Sequence, residues 1–168
     1  MGIITLVWRK PLFTYYWLPP VLWGLAVLCM SGDLGSDSHT RSLLRWLLSG
    51  FVTLDPSQFD MINFCFRKTG HVMAYGFMSF LWFRAFRAHA DYGPWRACIW
   101  SLGLCLLFAL MDEGHQLFFP TRGASIRDVI LDMSGSSLAA LITRAVWTPG
   151  SKTTALSGIV GGQTIGPE

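Results

Sequence analysis

The chain has 168 residues, of which 52% are hydrophobic and only 14% charged, and it carries eight tryptophans and a formal net charge of +3. In soluble domains about a quarter of the residues are charged, so this composition argues against an ordinary soluble domain, a disordered chain or a nucleic-acid-binding protein. A small integral membrane protein with basic loops is the expectation.

Four segments are predicted to form transmembrane helices, and the first lies at residues 12–30. It belongs to a charge-free run over residues 11–32, which is long enough to cross a bilayer and has no signal-peptidase-like site at its end, so we expect it to be retained. The other three spans are predicted at residues 68–83, 97–115 and 128–147. These three reach spanning length only by including polar residues.

A different kind of helix is predicted between the first two spans. Residues 41–54 place leucines on one broad apolar face, which is typical of a helix lying in the membrane interface. A fifth span interrupted by Arg45 and Gly50 is the alternative. Asp55 and Pro56 then begin another short helix. The predicted fold class is therefore an all-α membrane protein, a bundle of four transmembrane helices with an interfacial amphipathic helix between the first two.

The chain is predicted to form one transmembrane domain followed by a tail. Residues 1–147 make up the domain, and residues 148–168, rich in glycine, serine and threonine, are expected to be a disordered cytoplasmic tail. When Arg67, Lys68, Arg122 and Arg127 are set aside because they belong to or adjoin the polar cluster described next, seven basic residues lie on the side of the N-terminus and two on the other side. This bias predicts that both termini are cytoplasmic.

Polar residues gather at those ends of the last three spans that point to one side of the membrane, the outer side in this orientation. They are Arg67, Lys68, His71 and Tyr75 near the start of the second span, Asp112, Glu113 and Gln116 at the end of the third, Arg122 and Ser125 in the following loop, and Asp128 and Asp132 at the start of the fourth. Ser125 is also a suitable N-cap for the fourth span. Ionisable groups within a membrane cost about 3 kcal/mol each on insertion scales, so they are kept where they are paired or functional.

Spacing along each helix determines which of these side chains share a face. Lys68, His71 and Tyr75 lie at positions i, i+3 and i+7, so all three project from one face of the second span. Asp112 and Glu113 are adjacent and point about 100° apart, so only one of them can face a common centre.

Two interpretations of the cluster remain open. In the first, its basic residues and Arg127 neutralise the acids in a structural ion-pair network. In the second, it is a catalytic site in which His71 is the general acid or base and Asp112 or Asp128 orients it or holds a metal. The substrate-binding residues would then be Arg67, Lys68, Tyr75, Glu113, Gln116, Arg122, Ser125 and Asp132. A hard divalent cation bound by the acids and His71 is a further alternative, and spacing alone leaves the metal unknown.

At these residues the sequence resembles the VanZ-like family of membrane proteins. The matching blocks run in order over roughly residues 31–141 and read RKTGH at 67–71 with Tyr75, DEGHQ at 112–116, PTRGAS at 120–125, RDV at 127–129, and Asp132 with Gly135. Two positions depart from the family pattern. Ala74 stands where a glutamate is frequent before the tyrosine, and Met111 where a small serine is common before the acidic pair.

The resemblance implies a multi-pass protein of the bacterial inner (cytoplasmic) membrane, associated with low-level resistance to lipoglycopeptides such as teicoplanin and therefore with the cell envelope. It supplies neither a reaction nor a cofactor. One hypothesis is an intramembrane enzyme that acts from the outer leaflet on a lipid-linked or cell-wall precursor, whose anionic group the arginines would hold. The other is a non-catalytic protein that binds an envelope lipid or glycopeptide in the same cleft. The expected partners are membrane lipids or a lipid-linked envelope precursor and no nucleic acid, while protein partners and cofactors stay unknown.

Overall fold

The computed structural model describes residues 10–32, with side chains from Thr14 onward, and residues 37–50, 54–88, 92–118 and 125–147. Within these residues there are five helices and no strand. The helices are α1 at Lys10–Ser31, α2 at Asp37–Leu48, α3 at Pro56–Arg87, α4 at Pro94–Gln116 and α5 at Ile126–Trp147. The predicted tail at 148–168 and the loop that carries Arg122 lie outside the described residues.

Three of the helices begin where the sequence provides a starting signal. α3 and α4 each have proline at the first helical position, where the missing N–H would have no partner in any case. The side-chain oxygen of Gln58 also accepts a hydrogen bond from the backbone N–H of Asp55 at 3.2 Å. At the start of α5, the Ser125 carbonyl accepts the N–H of Asp128 at 2.8 Å, as expected for an N-cap residue.

α3 joins two elements that the sequence analysis kept apart. The short helix expected from Pro56 and the span expected at residues 68–83 form one continuous helix of 32 residues, roughly 48 Å long. The helix continues because the chain between the two parts changes in polarity but contains no proline. The single glycine there, Gly70, lowers helix stability by only about 1 kcal/mol. The prediction of a separate short helix was therefore wrong.

α2 begins at Asp37, before the expected start at residue 41. An acidic residue in the first turn complements the helix dipole, and Asp37 also forms an ion pair with Arg41 one turn later. Both effects extend the helix into the polar turn. α2 docks on α3 with Leu44 buried.

α3 is the central helix of the bundle, since it packs against α5, α4, α1 and α2. Its closest approach is to α5, where Gly135 lies against the backbone of Val72. A Cβ atom at this glycine would overlap the Val72 carbonyl group, so the two helices can meet here only because the side chain is absent. The buried core on either side includes Tyr75, Met78 and Phe83.

Much of the apolar surface of the bundle faces outward. α4 and α5 are long and apolar enough to cross a membrane, and only 28% and 33% of their most apolar stretches are buried inside the protein. Large side chains such as Ile99, Leu107, Ile130 and Ile142 are exposed. Soluble proteins rarely expose apolar patches of this extent, so the surface indicates contact with lipid.

Candidate functional site

The predicted polar residues that the structure describes lie at one end of the bundle. α3 contributes residues from its first 20, α4 its last turn and α5 its first two turns. The end of α1 is adjacent, because Ser31 Oγ donates to the Asp112 carbonyl at 3.3 Å. α3 and α5 start at the same end and therefore run parallel. Their polar side chains meet in register, and this register determines which residues pair.

The centre of the cluster is the pair of His71 on α3 and Asp132 on α5. His71 Nδ1 lies 3.0 Å from Asp132 Oδ1, and Asp132 is fully buried, with 0% of its surface exposed, while the His71 side chain is 23% exposed. The second carboxylate oxygen of Asp132 and the Tyr75 hydroxyl are both buried and have no hydrogen-bond partner among the described residues. A carboxylate in this position orients the imidazole and stabilises its protonated form.

Asp112 approaches the same pair from α4. It is 2% exposed, and its Oδ2 accepts a hydrogen bond from Gln116 Nε2 at 3.3 Å. One possible ligand atom from each of His71, Asp112 and Asp132 lies within 4.8 Å of the others. The structure thus brings these three residues together from three helices, and they are the described residues that could hold a metal ion.

Asp128 pairs with a basic residue of α3, as the ion-pair interpretation allows. Its carboxylate forms an ion pair with Lys68 Nζ, one helical turn before the contact between His71 and Asp132. Asp112 or Asp128 was predicted to orient His71 or to hold a metal. In the structure it is Asp132, predicted as a substrate-binding residue, that lies within hydrogen-bonding distance of the imidazole. Both acids lie on the same face of α5, and only the register of α5 against α3 decides which one reaches the histidine.

Glu113 points away from this centre, as the angle between adjacent helical residues requires. It is buried, and its Oε2 accepts a hydrogen bond from the Ser125 backbone N–H at 2.5 Å. The carboxylate thus lies beside the first turn of α5, where the helix dipole favours a negative charge. This contact joins the end of α4 to the start of α5 and involves Ser125 through its backbone.

Arg67 pairs with an acid that the sequence analysis did not identify. Arg67 Nη1 lies 2.9 Å from Asp37 Oδ1 on α2, and the same oxygen accepts from Asn63 Nδ2 at 2.7 Å. Arg41 bridges Asp37 and Asp60, with 2.5 Å between its Nη1 and Asp60 Oδ1. Mainly because of the hydrogen bond from Arg41, the pKa of the Asp37 carboxyl is lowered. The four-residue spacing of Asp37 and Arg41, which is typical of an ion pair on one helix face, was the sequence feature that could have identified this acid.

Two cavities meet at His71 and Arg67. The first, about 300 Å³, is a cleft between α1 and α3 with a mostly apolar lining that includes Trp23, Val27 and Met30. The second, about 390 Å³, has a polar lining of residues from α2, α3 and α5. His71 and Arg67 line both cavities, so the histidine stands where an apolar space adjoins a charged one.

The remaining predicted positions differ in their relation to this centre. Arg122 is outside the described residues, and Arg127 is exposed on α5. Ala74, one of the two departures from the family pattern, lies on the wall of the apolar cleft, and its carbonyl accepts the Trp23 indole N–H at 2.9 Å. Met111, the other departure, is exposed.

Comparison with known proteins identifies one family. The family model described as VanZ/LLP1 matches residues 17–147, a range that includes every residue of the cluster. This match confirms the resemblance found in the sequence. No curated protein and no solved structure gives a significant match to the chain.

Proposed function

We propose that this chain, which belongs to the VanZ/LLP1 family, acts from the outer leaflet on a lipid-linked or cell-wall component of the bacterial envelope. The observation that carries the proposal is the position of the pair of His71 and Asp132 at the junction of the apolar cleft and the charged cavity. Glycopeptide resistance, including resistance to teicoplanin, is a family-level association that such an activity on envelope components would explain.

The two cavities together suit an amphiphilic substrate. An acyl or isoprenoid chain can lie in the cleft beside Trp23, Val27 and Met30, because this space is lined mainly by apolar groups. An anionic head group then extends toward Arg67 and Lys68, since both line the charged cavity. Guanidinium and ammonium groups are the usual partners of phosphate and carboxylate.

His71 is positioned to move a proton at this junction. Its side chain is partly exposed to the cavities, while Asp132 holds Nδ1 from the buried side. A histidine in this arrangement takes a proton from a nucleophile and returns it to a leaving group, and the buried carboxylate stabilises the imidazolium in between. Asp112 adds negative charge from α4.

The proposed topology has α1, α3, α4 and α5 crossing the inner membrane and α2 lying in its outer interface. The three helices other than α3 have 22 or 23 residues, roughly 33–35 Å, which suits a hydrocarbon core of about 30 Å. The end of the bundle opposite the cluster carries arginines against aromatic rings, with Arg144 3.6 Å from the Trp95 ring centroid and Arg84 4.8 Å from that of Tyr15. Aromatic residues are enriched at both membrane interfaces, so the proposal of cytoplasmic termini rests on the basic residues at this end, which are typical of the cytoplasmic side.

A non-catalytic protein that binds an envelope lipid or glycopeptide is the second candidate. The observation that favours it is that Arg67 and Lys68 are already paired with Asp37 and Asp128, so apolar contact in the cleft would supply most of the attraction for a ligand. Such a protein would change the accessibility of its ligand and leave it chemically unchanged.

Mass spectrometry of envelope lipids and muropeptides distinguishes the two candidates. Strains would carry no gene, the natural gene, His71→Gln, or the matched control His115→Gln, whose side chain is exposed at the end of α4. For an enzyme, His71→Gln at normal protein abundance reproduces the lipid or muropeptide pattern of the deletion strain, and His115→Gln resembles the natural protein.

A graded intermediate pattern, together with an unmodified lipid that copurifies with the protein, would identify a binding protein instead. If the deletion strain and the natural strain have identical envelope lipids and muropeptides, both candidates are wrong.

A further inference from the structure

We propose that His71, Asp112 and Asp132 together bind one divalent transition-metal ion, Zn²⁺ or Mn²⁺. The inference rests on the proposed function for the assignment of this pocket as the functional site. It replaces proton transfer by His71 with metal binding, because an imidazole nitrogen that binds the ion cannot at the same time accept a proton. It concerns what the pocket holds, and the experiment below measures the metal independently of any envelope lipid.

The geometry of the three side chains is the first support. They come from α3, α4 and α5, and their possible ligand atoms lie within 4.8 Å of one another. With bonds of about 2.1 Å, the ligand atoms around a tetrahedral ion are about 3.4 Å apart. Side-chain shifts of about 1 to 2 Å therefore bring the three groups to bonding distance.

The burial of Asp132 is the second and independent support. The residue is 0% exposed, and one carboxylate oxygen faces His71 while the other has no hydrogen-bond donor in the described part of the chain. A buried carboxylate oxygen without a donor is unfavourable, and a bound ion is one of the few partners that satisfies it. The two neighbouring cations do not do so, because Lys68 pairs with Asp128 and Arg67 with Asp37.

The ligand types indicate which ion fits. One imidazole nitrogen with two carboxylate oxygens is too nitrogen-rich for a typical Ca²⁺ or Mg²⁺ site and matches Zn²⁺ or Mn²⁺. Three protein ligands leave at least one coordination position open, as in catalytic metal sites. His71 lines both cavities, so the open position is within reach of an anionic group that occupies them.

The test uses the full chain in lipid nanodiscs, purified with a tag that contains no histidine. The protein is dialysed against Zn²⁺ or Mn²⁺, and bound metal per chain is measured by inductively coupled plasma mass spectrometry. The natural protein should retain about one equivalent of at least one ion, and Asp132→Asn and Asp112→Asn should each weaken binding by at least tenfold. Asp128→Asn is the matched control and should bind as the natural protein does, since this acid pairs with Lys68.

The proposal is overturned if the natural protein retains neither ion, or if Asp128→Asn lowers metal binding as much as Asp132→Asn. Because Asp132 is fully buried, its variant can fail for reasons of folding, so His71→Asn at a partly exposed position provides a second loss-of-ligand variant. That variant should lose the metal while keeping the elution volume of the natural protein. Metal binding without any lipid change would disprove only the proposed function, and a lipid change by metal-free protein would disprove only the metal site.

Discussion

His71 and Asp132 face each other across the contact between α3 and α5, with 3.0 Å between Nδ1 and Oδ1. One turn earlier Lys68 pairs with Asp128, and one turn later Ser136 Oγ donates to the Tyr75 carbonyl at 3.3 Å. The two parallel helices thus make one polar contact per turn over three turns. The position of the histidine is fixed by the packing of two helices, which places a functional group more accurately than a loop does.

Gly135→Ala should destabilise the protein by about 1–3 kcal/mol, because the added Cβ overlaps the Val72 backbone and forces α3 and α5 apart. Gly103→Ala is the control, since a Cβ at that position meets no atom within 4 Å and alanine improves helix propensity. Equilibrium unfolding in mixed micelles measures both. If the two variants are equally stable, the contact between α3 and α5 does not require a glycine at position 135.

The pair of Lys68 and Asp128 should show a coupling free energy of about 1–2 kcal/mol in a double-mutant cycle with Lys68→Ala and Asp128→Ala. Each single substitution leaves a partly buried charge without its partner, since 33% of the Lys68 side chain and 18% of that of Asp128 are exposed. The double variant should therefore be more stable than the sum of the single effects predicts. Strict additivity of the unfolding free energies would rule out a stabilising pair.

Much of the helical architecture was predictable from composition, and the pairing of the site residues was not. The third and fourth predicted spans, residues 97–115 and 128–147, agree with α4 and α5 to within three residues at each end, because apolar runs there are bounded by prolines, glycines and polar loops. Spacing also predicted that Lys68, His71 and Tyr75 share a face.

The choice of Asp132 over Asp128 as the partner of His71 depends on the register between α3 and α5, which no spacing within one helix determines. Similarly, the ion pair of Arg67 with Asp37 joins residues 30 positions apart through the docking of α2. Contacts of this kind require knowledge of how the helices pack.

Ala74→Glu should be tolerated and Met73→Glu should not. Ala74 faces the cleft of about 300 Å³ that already contains His71 and Asp112, so a glutamate at this position has polar neighbours and space. Met73 is 69% exposed on the outer surface of α3, where a carboxylate would face lipid at a cost of about 3 kcal/mol. The amount of folded protein in the membrane fraction is the measurement. If both variants accumulate equally, that face of α3 does not contact lipid.

Acid should weaken the docking of α2 through Asp37. Its carboxyl pKa is lowered mainly by the hydrogen bond from Arg41, so the ionised form stabilises the fold. This stabilisation is complete above the ordinary pKa of an aspartate, about 3.9, and is lost as the pH falls through the lowered value. The difference in melting temperature between the natural protein and Asp37→Asn should thus be present at neutral pH and vanish in strong acid. If the difference in melting temperature is the same at every pH, the charge of Asp37 does not stabilise the docking of α2.

The proposed orientation can be tested with a cysteine that the chain already has. Cys65 is exposed near the start of α3, one turn before Lys68, and Ala88 is exposed at the other end of the same helix. About 20 residues of α3 suffice to cross the hydrocarbon core, so in the proposed topology these two positions lie near opposite membrane surfaces.

In a variant with serine at the other three cysteines, a membrane-impermeant maleimide should therefore label Cys65 on intact spheroplasts. A matched variant should carry Cys65→Ser and Ala88→Cys as its one cysteine. It should be labelled only after the membrane is permeabilised, because the proposed cytoplasmic termini place this end of α3 inside. The opposite labelling pattern would put the pair of His71 and Asp132 near the cytoplasmic leaflet. A substrate of the outer leaflet would then be excluded, because the apolar cleft and the histidine at its end would open toward the cytoplasmic side.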